Sequence, residues 1–166
     1  MVMEFKQLHR NNIIIRKMSY DDLQQVKNIR DASLEFLDTQ VSFSLEETQN
    51  WFNATNPDWY IIEIQNKVAG YIRTSNHDQR NKNLYIGLDL HPEFRGHGYA
   101  FQSYQMFMEW LKLIGFLSVS LKVQISNFVA YNLYRKLGFI PIGIIPNAVI
   151  KNNNSQVDSI IMHKTL

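Results

Sequence analysis

Asn127-Phe128-Val129-Ala130-Tyr131-Asn132-Leu133-Tyr134-Arg135-Lys136-Leu137-Gly138-Phe139 is the stretch that decides how this chain is read. Asparagine opens it as a helix cap and Gly138 closes it, so the interval holds one short helix with a phenol, Tyr134, near its end. Upstream stands Arg95-Gly96-His97-Gly98-Tyr99-Ala100, a glycine turn between an apolar strand and a long helix. Glycines without Cβ let backbone N–H groups approach a ligand closely. The helix that follows adds unpaired donors and the positive end of a dipole, so the turn suits an anion. Arg95 offers such an anion a charge-assisted bond.

Outward from these two segments, periodicity predicts the remaining elements. Ile13 to Arg16 is a β-branched run that reads as a first strand. Ser19 before Tyr20-Asp21-Asp22 caps a helix with apolar positions at Leu23, Val26, Ile29 and Ala32. Ser44 and Glu47 form a capping box that opens a second helix through Trp51. Trp59 to Ile64, the turn Gln65-Asn66-Lys67 and Val68 to Arg73 read as a hairpin, with Trp51 and Trp59 as its packing anchors. Further strands are expected at Leu84 to Leu90, Leu117 to Ile125, Phe139 to Ile145 and Val157 to Met162, and a helix at Tyr99 to Ile114. The order predicts an α+β domain over residues 1–166, a single mixed, mainly antiparallel sheet flanked by helices.

Composition narrows the function. The 166 residues include no cysteine, which excludes a thiol nucleophile, a disulfide framework and a thiolate metal site. Histidines are scattered without metal-ligand spacing. No apolar run approaches bilayer-spanning length, and residues 1–12 show no signal peptide, so neither a membrane partner nor export is expected and the cytoplasm is the expected location. A net charge of +2 gives no argument for nucleic acid. Residues 1–63 carry ten acidic and six basic side chains, and residues 64–166 five and eleven, so an N-terminal pocket would mildly favour a cation.

The glycine turn admits three readings. A dinucleotide fingerprint requires an acid about twenty residues on, where Ser120, Leu121 and Lys122 stand instead. A phosphate loop of the Gly-Lys-Ser/Thr kind is absent. A plain strand-to-helix turn remains open on the residues alone. The longer pattern decides, because Arg95-x-x-Gly98-x-Ala100 and the run from Asn127 to Phe139 match, position by position, the Q/R-x-x-G-x-G/A and N-x-x-A-x-x-L-Y-x-K-x-G-F patterns of the GCN5-related N-acetyltransferase (GNAT) superfamily. The chain resembles that superfamily, and loosely its RimJ/RimL-like branch, over nearly its whole length.

The resemblance implies an N-acetyltransferase that moves acetyl from acetyl-CoA to a primary amine by direct attack. The acceptor it implies is a small molecule, an amino sugar or a peptide N-terminus; a homodimer is plausible by family habit. It implies that the amides of Gly96, His97, Gly98, Tyr99 and Ala100, with Arg95, hold the pyrophosphate. By the same resemblance Leu88 and Leu90, on a strand bulged at Leu88-Asp89-Leu90-His91-Pro92, offer amides to the pantetheine arm and the thioester. Asn127 is implied as a cofactor contact and Tyr134 as the general acid; a phenol with an ordinary pKa of about 10 keeps its proton at neutral pH. Where that branch commonly carries a glutamate, this strand reads Tyr85-Ile86-Gly87, so Asp89 becomes the candidate base, with Glu63 and His91 behind it. The same departure motivates a rival, a non-catalytic acyl-CoA-binding regulator.

Overall fold

Ile13 and Ile15 are fully buried while the residues between and after them are partly exposed, the two-residue alternation of a strand covered on one face. A computed structural model describes residues 5–166, so part of the leader-free reading of residues 1–12 lies outside the described residues. In chain order the elements are β1 (Leu8–Arg10), β2 (Ile13–Lys17), α1 (Leu23–Asp31), α2 (Leu45–Thr55), β3 (Trp59–Ile64), β4 (Lys67–Asp78), β5 (Asn83–Leu90), α3 (Tyr99–Leu113), β6 (Ser118–Gln124), α4 (Phe128–Lys136), β7 (Ile140–Ile150) and β8 (Gln156–Thr165). The strands form one sheet in the order β1-β2-β3-β4-β5-β6-β8-β7. Among the described residues only β5 and β6 run parallel; every other neighbouring pair is antiparallel.

The expected architecture is therefore present, with one addition. β1 pairs with β2 across the two-residue turn Asn11-Asn12, with Asn11 at a φ of 52°. Three residues are too few to show an alternation, so the Asn-Asn turn was its only signal. Several elements also run longer than their apolar pattern. β4 extends to Asp78, α2 to Thr55 and β7 to Ile150, because ladder and helix hydrogen bonds continue past the last apolar residue.

Helices cover both faces. On one, α3 sets Tyr104, Phe107 and Leu111 against Ile62, Ile72, Ile86 and Val119, and Tyr134 of α4 joins them. On the other, Leu23, Val26 and Ile29 of α1 cover Ile61 and Tyr71. Each such aliphatic or aromatic side chain contributes about 1.5–3 kcal/mol by leaving water. An ion triad fixes the start of α1: Arg16 donates to both oxygens of Asp22 at 2.8 and 2.7 Å and to Glu63 at 2.7 Å. Burial opposes the charge of Asp22, but the Arg16 bonds and the Ser19 N–H and hydroxyl outweigh it and hold the carboxyl below its usual range.

Candidate active site

β5 and β6 pair only at Asn83↔Ser118, Leu84↔Val119 and Tyr85↔Ser120, then part. Beyond that point β5 stays on β4 and β6 stays on β8, so a slot opens between the two parallel strands. The register of β4 on β5 runs without a shift from Gly70↔Leu90 to Ser75↔Tyr85. The bulge expected at Leu88 to Pro92 is thus absent from this pairing, and the divergence of β6 frees the amides instead. His91 N–H bonds the carbonyl of Ala69 on β4 at 2.8 Å. By two-residue alternation the N–H groups of Leu88 and Leu90 point the other way, into the slot.

At one mouth of the slot lies the glycine turn. Gly96 and Gly98 have φ of 80° and 79°, a region that L side chains seldom adopt. A Cβ at Gly96 would meet nothing within 4 Å, and at Gly98 only Gln102 Nε2 at 3.9 Å, so the surface over both is open. Among the described residues no backbone carbonyl accepts from the N–H groups of Gly96, His97, Gly98, Tyr99, Ala100 or Phe101. His97 is exposed, and the Tyr99 hydroxyl is 3.4 Å from Asn12 Nδ2.

Arg95 does something other than expected. Its Nε donates to the Leu90 carbonyl at 2.9 Å and its NH2 to Ser33 Oγ at 2.8 Å. The guanidinium ties the end of β5 to the end of α1, because two oxygens within reach satisfy it there. Its own N–H goes to the Pro92 carbonyl. Asn127 caps α4, its Oδ1 accepting from Ala130 N–H at 3.1 Å, which leaves the side-chain NH2 without a protein partner among the described residues.

Tyr134 is buried, with its hydroxyl 3.4 Å from that of Tyr104 and the two rings edge-on at 5.7 Å. Burial raises its pKa, Tyr104 lowers it, and the charges of Asp89 and Arg73 pull in opposite directions; the net shift is upward. The phenol therefore stays protonated past the range where a free tyrosine ionises.

The other side of the slot opens into a cleft of about 620 Å³ lined by Arg30, Asp38, Arg73, Tyr85, Gly87 and Lys122, among others. Arg73 lies over Gly87, with its guanidinium 3.0 Å from where a Cβ would stand. Asp89 pairs with it at 3.1 Å, out of line for a hydrogen bond, and that carboxylate oxygen is closed to solvent. Asp89 does not line the cleft, so the geometry makes it the counter-ion of Arg73 rather than a group that reaches an amine. Glu63 is held by Arg16, and His91 accepts from Glu93 N–H. The charge of the cleft also departs from the half-chain arithmetic. Arg73 and Lys122 fold in from the C-terminal half, and Asp38 is ion-paired to Lys122.

Sequence reasoning missed Arg73 and Tyr104, whereas Arg30 was one of the basic residues it offered to an acceptor pocket. Arg73 left a trace as the cation that ends the apolar run from Val68 to Ile72; Tyr104 left none, because a tyrosine inside an apolar helix stripe reads as core.

The acetyltransferase (GNAT) family model matches residues 23–139. A Bacillus subtilis (strain 168) protein, provisionally named a ribosomal protein bS18-alanine N-acetyltransferase, is 29% identical over 154 residues, covering 92% of this chain and 95% of that one. Among solved structures, RimL, a ribosomal L7/L12 α-N-protein acetyltransferase in complex with coenzyme A, superposes with a TM-score of 0.85 at 20% identity, over 97% of this chain and 98% of that chain. A Salmonella typhimurium acetyltransferase that modifies the N-terminal serine of L7/L12 gives 0.83 at 21%, over 95% and 96%. The chain belongs to the acetyltransferase (GNAT) family. It is an acetyltransferase, with acetyl-CoA as co-substrate. Its own residues fit that co-substrate: two glycines with open space above them, a row of unspent amides at a helix N-terminus, and a slot edged by two more.

Proposed function

We propose that this chain transfers acetyl from acetyl-CoA to a primary amine, by direct attack, with Tyr134 as general acid. The observation that carries the reading is the slot between β5 and β6, with unspent amides at one mouth, the Tyr134 phenol buried beside it and the cleft at the other. When bound, acetyl-CoA supplies an activated thioester. The amides of Gly96 to Ala100 and the N-terminal end of α3 bind its phosphates, and the Asn127 NH2 adds a donor at the neighbouring helix end. Arg95 positions this turn from behind. The Leu88 and Leu90 amides aim into the slot, where a donor facing the thioester oxygen stabilises the negative charge that develops on it. Tyr134 holds a proton at Oη and gives it to the departing sulfur.

Among the described residues the cleft's one carboxylate, Asp38, is paired with Lys122, so the amine's proton leaves through cleft water, while Arg73, held by Asp89, orients the acceptor. With no cysteine in the chain, no thiol-borne acyl-enzyme arises. The acceptor we favour is a peptide α-amine. Relatives whose names give ribosomal proteins as acceptors, one of them at an N-terminal serine, support it, as does a cleft whose cations suit the carbonyls and carboxylates of a peptide. A ribosomal-protein acceptor like that named for the Bacillus subtilis relative is consistent with a cytoplasmic enzyme.

Thermal unfolding with acetyl-CoA, CoA or NAD tests the co-substrate half. A ligand that binds the native state raises the midpoint, so both CoA forms should raise it and NAD should not. Thiol release from acetyl-CoA with peptide and small amines then tests transfer. No midpoint shift with either CoA form would overturn the site.

A further inference from the structure

A second cavity, of about 380 Å³, lies between α1 and α2, walled by Val26, Phe43, Trp51 and Trp59. Its aromatic wall is packed ring on ring. Trp51 and Trp59 meet at 4.8 Å, and Trp59 stacks on Tyr71 at 5.2 Å with an interplanar angle of 5°. Of the charged groups at its rim, Lys27 pairs with Asp31 Oδ2 at 2.6 Å, which leaves Asp31 Oδ1 buried without a partner among the described residues, and Glu47 caps Ser44. What it offers a ligand is mainly apolar surface, with one carboxylate oxygen of Asp31 at its edge.

This cavity abuts the acceptor cleft. Cross-strand pairing sets Trp59 beside Arg73 and Arg73 beside Gly87, one row on one face of the sheet. Trp59 belongs to the cavity, Arg73 and Gly87 to the cleft. Above that row, Arg30 of α1 borders both spaces. Its guanidinium lies 4.8 Å over the Phe43 ring and donates to the carbonyls of Thr39 and Val41. It therefore fixes the loop that divides them.

We propose that the cavity is the second lobe of the acceptor groove and takes a bulky apolar side chain at the second residue of a peptide whose α-amine sits at the slot edge beside Gly87, next to the Arg73 side chain that covers it. Two strand spacings separate Gly87 from Trp59, about 10 Å. One extended residue, about 3.4 Å, plus a phenylalanine-sized side chain covers that distance, whereas the side chain of the first residue would not. The proposal rests on the acetyl-transfer reading and names its acceptor class: peptide N-termini with an aromatic or branched aliphatic second residue.

Two peptide amides, Ala-Phe-Gly-Gly and Ala-Gly-Gly-Gly, test it in the full chain with CoA present. Tryptophan emission reads binding, since Trp51 and Trp59 wall the cavity and Trp110 lies on the core face of α3. Thiol release from acetyl-CoA reads transfer. Burying a phenylalanine side chain predicts a preference of about tenfold or more for the first peptide, in Kd and in kcat/KM. Phe43→Ala and Trp51→Ala should each bring both ratios towards one; Phe43 is half-exposed on a loop, so its variant folds even if the other does not. Equal Kd for the two peptides, or ratios unchanged in Phe43→Ala, would overturn the proposal. Turnover without preference refutes the second lobe and leaves acetyl transfer standing. A binding preference without turnover refutes the peptide-acceptor reading and supports the cavity as an apolar-group site.

Discussion

Replacing Tyr134 by phenylalanine removes one hydroxyl from a buried pair and nothing else. The bond to Tyr104 is 3.4 Å long between neutral groups, so it is weak, but its loss leaves the Tyr104 hydroxyl buried without a partner. An orphaned buried hydroxyl costs about 1 kcal/mol or somewhat more. At this chain length that lowers Tm by about 2–4 °C per kcal/mol. The effect on rate is much larger. A positioned general acid contributes about 10²–10⁴-fold, or about 3–5 kcal/mol of barrier. Tyr104→Phe is the matched control: it breaks the same hydrogen bond and costs similar stability, yet leaves the proton on Tyr134. Thiol release at saturating acetyl-CoA and amine gives kcat, titration calorimetry gives CoA affinity, and thermal unfolding gives Tm. Tyr134→Phe should lose kcat by about 10² or more with CoA affinity kept, while Tyr104→Phe stays within about threefold of the parent. Equal losses in the two variants, or kcat retained in Tyr134→Phe, would refute the acid role.

Arg95→Gln should lower Tm of the ligand-free protein, because the bonds to Leu90 and Ser33 are internal ties; an unchanged ligand-free Tm with weakened CoA binding would return Arg95 to the phosphate. Gly70→Ala should destabilise by about 1–3 kcal/mol, since its Cβ would stand 2.4 Å from the Asp89 carbonyl; Gly87→Ala, which meets only the end of the Arg73 side chain at 3.0 Å, should spare Tm and lower kcat/KM for the amine. Asp22 has a depressed carboxyl pKa in the folded state, so its contribution is complete above the unfolded value of 3.8 and drains away as pH falls below it; Asp22→Asn should flatten that acid limb of the Tm profile. With no carboxylate free to act as base, log kcat/KM for a peptide should climb with unit slope until the α-amine is neutral near pH 8, about its ordinary pKa, and the raised pKa of Tyr134 leaves that plateau intact up to about pH 10.

The half-sites were legible because their chemistry is local. A glycine at positive φ before a helix, an asparagine cap and a helix-stopping Gly138 each act within a few residues, so residues 95–100 and 127–139 carry their own structure. The element order followed for the same reason, since two-residue and helical periodicities are properties of short windows. β1 escaped because three residues carry no period. The expected bulge was a borrowed detail; here β6 leaves β5 after Tyr85 and opens the same edge without one.

What the sequence by itself determined is the set of elements apart from β1, their order and the residues offered to an anion. Tertiary structure alone decided which side chains remain available. Arg95 turned to Leu90 and Ser33, Asp89 to Arg73, and Glu63 to Arg16. In each case partners distant in the chain satisfy the charge before a ligand can. The charge of the acceptor cleft was fixed the same way, when Arg73 and Lys122 from one half of the chain came to line a cleft with Arg30 and Asp38 from the other. Charge balance along a sequence cannot foretell this, because Coulomb interactions depend on distances in space that only the packed sheet sets.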